Sequence, residues 1–231
     1  NPTGQRDTIV PQCGPMDSIA LTRTFDQVEF ARRRIAELIH ASESIPDRAV
    51  VARRMERTAS HSWCFWVAPQ PTLPALLISG DWNLSAFVLL GMFARVEVWE
   101  ADAQRAAILM RVAEEVDANL HVCHCPPPQI GDRLKSLSEA FGLAAMQDAF
   151  GLISRRPRAI RRDILDSLAA VTAARGQCCV VGRNRFALGA RSLLIGVDQA
   201  LPTPAELYRD WAARGHYDAE AIFFHPNHVN P

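Results

Sequence analysis

Two short stretches of the chain carry groups that could hold a charged nucleoside. Ser79-Gly80-Asp81-Trp82-Asn83-Leu84-Ser85 follows one apolar run, and Glu100-Ala101 closes another about twenty residues on. A glycine after a strand lets the backbone turn tightly and approach a ligand closely. The helix that follows offers free N–H groups to the same place. Glu100 is placed to accept hydrogen bonds from both hydroxyls of a ribose. The loop is not G-x-G-x-x-G, and Asp81 would repel a pyrophosphate while suiting a cation. A sulfonium nucleoside with an α-ammonium is such a cation, so the pair favours S-adenosylmethionine over a dinucleotide. Asp81 is the group expected to neutralise the ligand amine.

Other side chains are expected around that ligand. His124 and Cys125 end a third apolar run and fall near an adenine; Ser154 ends a fourth. Trp82, with Trp63 and Trp66, could hold a sulfonium by cation–π contact, although core packing explains Trp63 and Trp66 equally well. Arg155, Arg156 and Arg158 form a cationic rim suited to a carboxylate. Arg155 is the candidate catalytic partner of Asp81, and Arg156 and Arg158 the candidate substrate contacts. His121, Cys123 and Cys125 share one strand face but lack the second ligand pair of a structural zinc site, so no metal is expected.

These residues need a scaffold that brings strand ends together. From Ala75 the sequence alternates short apolar runs with helical stretches. The spacing predicts strands at 75–79, 95–99, 119–123, 149–154, 177–181, 192–197 and 221–224. Between them it predicts helices at 84–93, 102–116, 134–143, 160–174 and 204–214, with Asp102 capping the second and Gly176 closing the fourth. Such alternation means parallel βαβ units. The expected fold is α/β: a doubly wound, Rossmann-like, mostly parallel sheet, whose ligands sit outside the carboxyl ends of the strands. Residues 1–70 are expected to be an N-terminal arm and helical lid, with helices at 26–41 and 46–58. Residues 71–231 are expected to form the S-adenosylmethionine-binding domain.

These motifs carry a resemblance. Leu77-Ile78-Ser79-Gly80-Asp81-Trp82-Asn83-Leu84-Ser85 resembles the "hxxGDDDLTS" loop of the branched-chain polyamine synthases, the N4-bis(aminopropyl)spermidine synthases. Phe25-Asp26-Gln27, followed by Arg33 and Arg34, is similar to their "FDQ … RR" segment. Val96 to Asp102 sits where they have "VVDIDE". The likeness covers roughly residues 24–125. It implies a class I methyltransferase-like fold and transfer of an aminopropyl group from decarboxylated S-adenosylmethionine, releasing 5′-methylthioadenosine. It also implies substrate contacts at Phe25, Asp26 and Gln27. Two departures stand out. "GDDD" is reduced to Gly80-Asp81-Trp82-Asn83, and the "DPPY" expected after the fourth strand falls on Arg155-Arg156-Pro157-Arg158. That charge inversion disfavours a polyamine and favours chemistry on the three-carbon arm of S-adenosylmethionine. The arm is either passed to an acceptor or closed on itself as a small cyclic amino acid.

Composition narrows the partners. Twenty-five basic and 25 acidic residues cancel, which argues against nucleic-acid or polybasic membrane binding. No apolar run reaches the roughly 18 residues of a membrane span. Four of the six cysteines lie in apolar strand-like runs, as buried free thiols do in a reducing compartment. A cytoplasmic protein with a small-molecule substrate is therefore expected, and a homodimer is left open. Two other readings compete: a small-molecule methyltransferase releasing S-adenosylhomocysteine, and a non-catalytic binding protein with a degenerate site.

Overall fold

The computed structural model describes residues 18–43, 45, 48, 51, 63–64, 66–80, 82, 84–116, 119–147, 152–153 and 156–181. Their strands are β1 (Gln70–Ser79), β2 (Phe93–Glu100), β3 (Leu120–His124), β4 (Phe141–Gln147) and β5 (Thr172–Val181). Their main helices are α1 (Ser18–Ala41), α2 (Ser85–Leu89), α3 (Ala103–Val116), α4 (Ile130–Ser136) and α5 (Arg158–Ala170). All neighbouring strands pair in parallel, in the order β3-β2-β1-β4-β5. This is the doubly wound Rossmann order expected from the sequence, with its reversal between β1 and β4.

The two-residue period of the strands divides the core in two. Leu77 on β1, Val96 and Val98 on β2, and Leu143 and Ala145 on β4 face one side. There they meet Ala31, Ile35 and Ile39 of α1, Phe87 and Leu89 of α2, and Leu109 and Val112 of α3. Leu76, Ile78, Trp99, Ala144 and Met146 face the other side, against Ile130 and Leu134 of α4 and Ile164, Leu165 and Leu168 of α5. Burial on both faces explains why β1 reads as a continuous apolar run rather than an alternation. Each fully buried Leu or Ile here contributes about 1.5–3 kcal/mol. The first helix thus belongs to a layer of the sheet's own core. It begins at Ser18, earlier than expected, so Asp26 lies inside it and not at its cap.

The fourth strand is displaced from the expected 149–154. It occupies Phe141–Gln147, and the helix expected at 134–143 ends at Ser136. Both runs are short and apolar, and periodicity alone does not separate strand from buried helix at that length. The choice falls on the run with Gly142, where a Cβ would sit 2.9 Å from Gln70 Oε1 and 3.0 Å from Leu73 Cβ of β1. Leu152 and Ile153 are instead helical and buried in the α4–α5 core. Pro126-Pro127-Pro128 leads through a short 3-10 turn straight into α4 and does not end regular structure. Gly176 is not a helix cap: α5 stops at Ala170, and Gly176 lies in β5 where the pairing with β4 slips. A Cβ there would sit 2.8 Å from the Phe141 carbonyl oxygen. The elements expected at 46–58, 192–197, 204–214 and 221–224 lie largely or wholly outside the described residues.

Candidate functional site

The carboxyl ends of β1 and β2 meet at Glu100. The ladder continues past both strands: the Ala101 N–H donates to the Ser79 carbonyl, and the Cys125 N–H donates to the Glu100 carbonyl, each at 2.9 Å. The Glu100 side chain is wholly buried. Its Oε1 accepts from the Asp102 N–H at 3.0 Å and from Arg105 Nε at 2.9 Å, and pairs with Arg105 Nη2 at 2.7 Å. Arg105 Nη2 also donates to the Gly80 carbonyl at 3.0 Å. Oε2 is buried with no hydrogen-bond partner among the described residues. Burial pushes the Glu100 carboxyl above the usual carboxylate range, and Arg105, the Asp102 N–H and the Ser79 hydroxyl pull against it. The Ser79 hydroxyl therefore stands close to the carboxyl without satisfying Oε2.

Asp102 caps α3, as expected, by accepting from the Arg105 N–H at 2.9 Å. That cap fixes the first turn of α3 and so aims the Arg105 side chain back at the two strand ends. A buried carboxylate oxygen without a donor is costly. At the end of β2 in a doubly wound fold, it is also where a ribose hydroxyl would supply the missing donor.

The carboxyl ends of β1 and β4 form a second corner of different chemistry. Ser79 pairs with Gln147 across the strands. The Ser85 hydroxyl, at the start of α2, donates to Gln147 Oε1 at 2.8 Å. Trp63 Nε1 lies 3.2 Å from Ser85 Oγ and 3.3 Å from Gln147 Oε1. All three residues are buried, and none is charged. Cys64 follows Trp63 into the core, and burial pushes its thiol up to about 12. It is an apolar filler here, not a nucleophile.

Among the expected nucleoside contacts, Ser79, Gly80, Ser85, Glu100, Ala101, His124 and Cys125 are gathered at this edge of the sheet. Glu100 and His124 stand in register on β2 and β3, with His124 exposed and Cys125 buried. Ser85 is engaged by Gln147 and Trp63. Trp82 is half-buried against the α1–α3 core. Trp66 is 57% exposed. Arg133 of α4 stacks 4.5 Å over Trp99 and faces the Cys123 and Cys125 thiols, both pushed up by burial. Asp81, Asn83, Ser154 and Arg155 lie outside the described residues.

Phe25, Asp26 and Gln27 are not brought to the site. The next residue group toward the α1 start, at Thr24, packs on Gly91, at the turn that enters the amino end of β2. Farther along α1, Arg34 pairs with Glu115 near the end of α3, and Ser42 Oγ accepts from Gln104 Nε2 at the start of α3. Helix α1 therefore runs from the amino edge of the sheet to its carboxyl edge, and Phe25-Asp26-Gln27 sits at the far end from Glu100. Phe25 is 62% exposed there. Arg32 and Arg33 pair with Glu29, whose carboxyl they hold down at about 2.

The arginine rim is displaced as well. With β4 ending at Gln147, the residues directly after it in the sequence are Asp148-Ala149-Phe150, not Arg155 and its neighbours. The reason for placing Ser154 at a strand end and Arg155 beside the ligand falls with the strand. Arg156 is half-buried in the turn before α5, its N–H donating to the Ile153 carbonyl, and Arg158 opens α5. Two residues of the edge escaped the sequence reading. Arg105 was legible as a cation one turn beyond the Asp102 cap. Gln147 was hidden by the misplaced strand.

No family model and no curated protein matches the chain. Solved structures give loose likenesses. One is the SAH-bound Podospora anserina methyltransferase PaMTH1, at 17% identity and a TM-score of 0.45, covering 87% of this chain and 84% of that one. Another is a precorrin 8W decarboxylase of Methanobacterium thermoautotrophicum, at 11% identity and a TM-score of 0.39. That alignment covers 61% of this chain and spans 65% of the decarboxylase.

Proposed function

We propose that this chain is an enzyme that binds S-adenosylmethionine, or a close relative of it, and acts on the three-carbon arm with release of 5′-methylthioadenosine. The observation that carries the reading is Glu100: a wholly buried carboxylate at the end of β2 with Oε2 unpaired. Two ribose hydroxyls would donate to it, and Gly80 leaves the backbone of the β1 turn free to approach the nucleoside. Because Glu100 is covered, the ligand enters by displacing the atoms over it. The Asp81 carboxylate favours a ligand bearing an ammonium and a sulfonium over one bearing a pyrophosphate.

The chemistry is a displacement at carbon. An amine lone pair attacks the arm carbon bonded to sulfur, and the C–S bond breaks. Its electron pair stays on sulfur, leaving neutral methylthioadenosine, and the amine loses a proton to a carboxylate. With the ligand's own amine as nucleophile, the product is a four-membered cyclic amino acid and catalysis is mostly positioning. With an external amine, the arm is transferred. The branched-chain polyamine synthases carry an acidic turn after the fourth strand, and in this sequence Asp148 directly follows the last residue of β4. Asp148 is therefore a candidate proton acceptor beside Asp81, and an amine acceptor regains its place beside cyclisation.

The test is incubation of the protein with S-adenosylmethionine, alone and with a panel of amines, followed by mass spectrometry. Methylthioadenosine with a cyclised or alkylated amine is the expected result. S-adenosylhomocysteine with a methylated product would establish the methyltransferase reading instead. Bound but intact substrate under every condition would establish a binding protein. Absence of any binding would overturn the nucleoside site itself.

A further inference from the structure

Arg105 gives the Glu100 carboxylate two unlike oxygens. Its guanidinium joins the ends of β1 and β2, reaching Glu100 Oε1 through Nε and Nη2 and the Gly80 carbonyl through Nη2. Oε1 also takes the Asp102 N–H, so three donors converge on one oxygen and none on the other. A free carboxylate exchanges its oxygens by rotation about its terminal bond. This one is held, because the guanidinium is itself fixed by the α3 cap and by Gly80. Arg105 keeps only 19% of its side-chain surface in solvent, so the pair is little screened.

Resting on the nucleoside reading above, we propose that Arg105 is a positioning residue that fixes the Glu100 carboxylate through Oε1 and reserves Oε2 for the ligand, so that one ribose hydroxyl contributes far more to binding than the other. With Oε1 already crowded by three donors, the second hydroxyl finds little acceptor capacity. Among the described residues, Arg105, the Asp102 N–H and the Ser79 hydroxyl act on Glu100, and His124 stands in register with it on β3.

The experiment measures the dissociation constant of S-adenosylmethionine for the wild type, Arg105→Met and Arg105→Lys at about pH 6 and about pH 8.5. The same proteins are then titrated with adenosine, 2′-deoxyadenosine and 3′-deoxyadenosine. In the wild type one deoxy compound is expected to bind about tenfold more weakly than adenosine and the other within about threefold. Arg105→Met is expected to lose about tenfold in affinity at the higher pH and more at the lower, as the released carboxyl takes up a proton. It should also lose the asymmetry between the deoxy compounds. Arg105→Lys restores the charge and the wild-type pH dependence but not the asymmetry, since an ammonium lacks the fixed fork. A thermal melt of each variant reports folding, and Arg105→Lys carries the test where Arg105→Met does not fold. A wild type that binds S-adenosylmethionine, with variants that bind as well or lose affinity equally at both pH values and for both deoxy compounds, overturns the role of Arg105 alone. A wild type that binds no S-adenosyl compound overturns the nucleoside reading and this inference together.

Discussion

The two corners of the sheet's carboxyl edge are both buried and both polar, yet they are built on opposite principles. At the β1–β4 corner, Ser85, Gln147 and Trp63 satisfy one another with neutral hydrogen bonds. At the β1–β2 corner, Glu100 brings a full charge into the core, and Arg105 answers only one of its oxygens. A neutral closed network specifies how elements meet and asks nothing of a ligand. A half-answered carboxylate is unfavourable until a donor arrives. The contrast separates the part of the edge that holds Trp63 and α2 onto the sheet from the part proposed to bind.

The largest effect should come from the ligand side of that contrast. Removing both ribose hydroxyls leaves Oε2 without its donor. A 2′,3′-dideoxyadenosine is expected to bind about 30-fold more weakly than adenosine in a competition titration, about tenfold from the hydroxyl held by Oε2 and up to about threefold from the other. Equal binding would break the assignment of the β1–β2 corner.

Gln147→Ala tests the other corner. It removes the acceptor that the Ser85 hydroxyl and the Trp63 N–H share, so chemical denaturation should show a loss of about 1–3 kcal/mol. Affinity for S-adenosylmethionine should change by less than about threefold. A large loss of affinity with intact stability would mean that Gln147 touches the ligand.

The pH dependence of stability gives a smaller but signed effect. Burial raises the folded Glu100 carboxyl above its unfolded value, so the folded chain holds that proton more tightly. Stability from this group is then present at low pH and falls as pH rises from the ordinary carboxylate range through the raised value. Glu100→Gln removes the titration. Its melting temperature relative to wild type should climb by a few degrees between about pH 5 and about pH 8 in the absence of ligand. A flat difference would mean that Arg105 fully offsets the burial.

Much of the edge was legible because it rests on local rules. The run Ala75–Ser79, the Gly80 turn, the Asp102 cap and Glu100 at the end of β2 all follow from strand burial, helix capping and the topology of a parallel sheet. What the sequence misplaced depended on choices between equal local signals. Phe141–Gln147 and residues 149–154 are both apolar runs, and the first carries Gly142, where the Gln70 and Leu73 side chains of β1 come close. That one displacement carried Ser154, Arg155 and the supposed charge inversion with it and hid Gln147. Phe25-Asp26-Gln27 failed for another reason. A motif fixes a helix, but the direction in which α1 crosses the sheet decides which end reaches the ligand, and Arg34–Glu115 and Gln104–Ser42 set that direction. Among the described residues, no helix is long and apolar enough to cross a membrane.

Calorimetric titration of S-adenosylmethionine into the wild type and into Glu100→Gln tests the central claim most directly. The account predicts saturable one-to-one binding by the wild type and at least about tenfold weaker binding by the variant, which keeps its shape but loses the charge that receives the ribose. Undetectable binding by the wild type, or equal affinity in the two proteins, would contradict it.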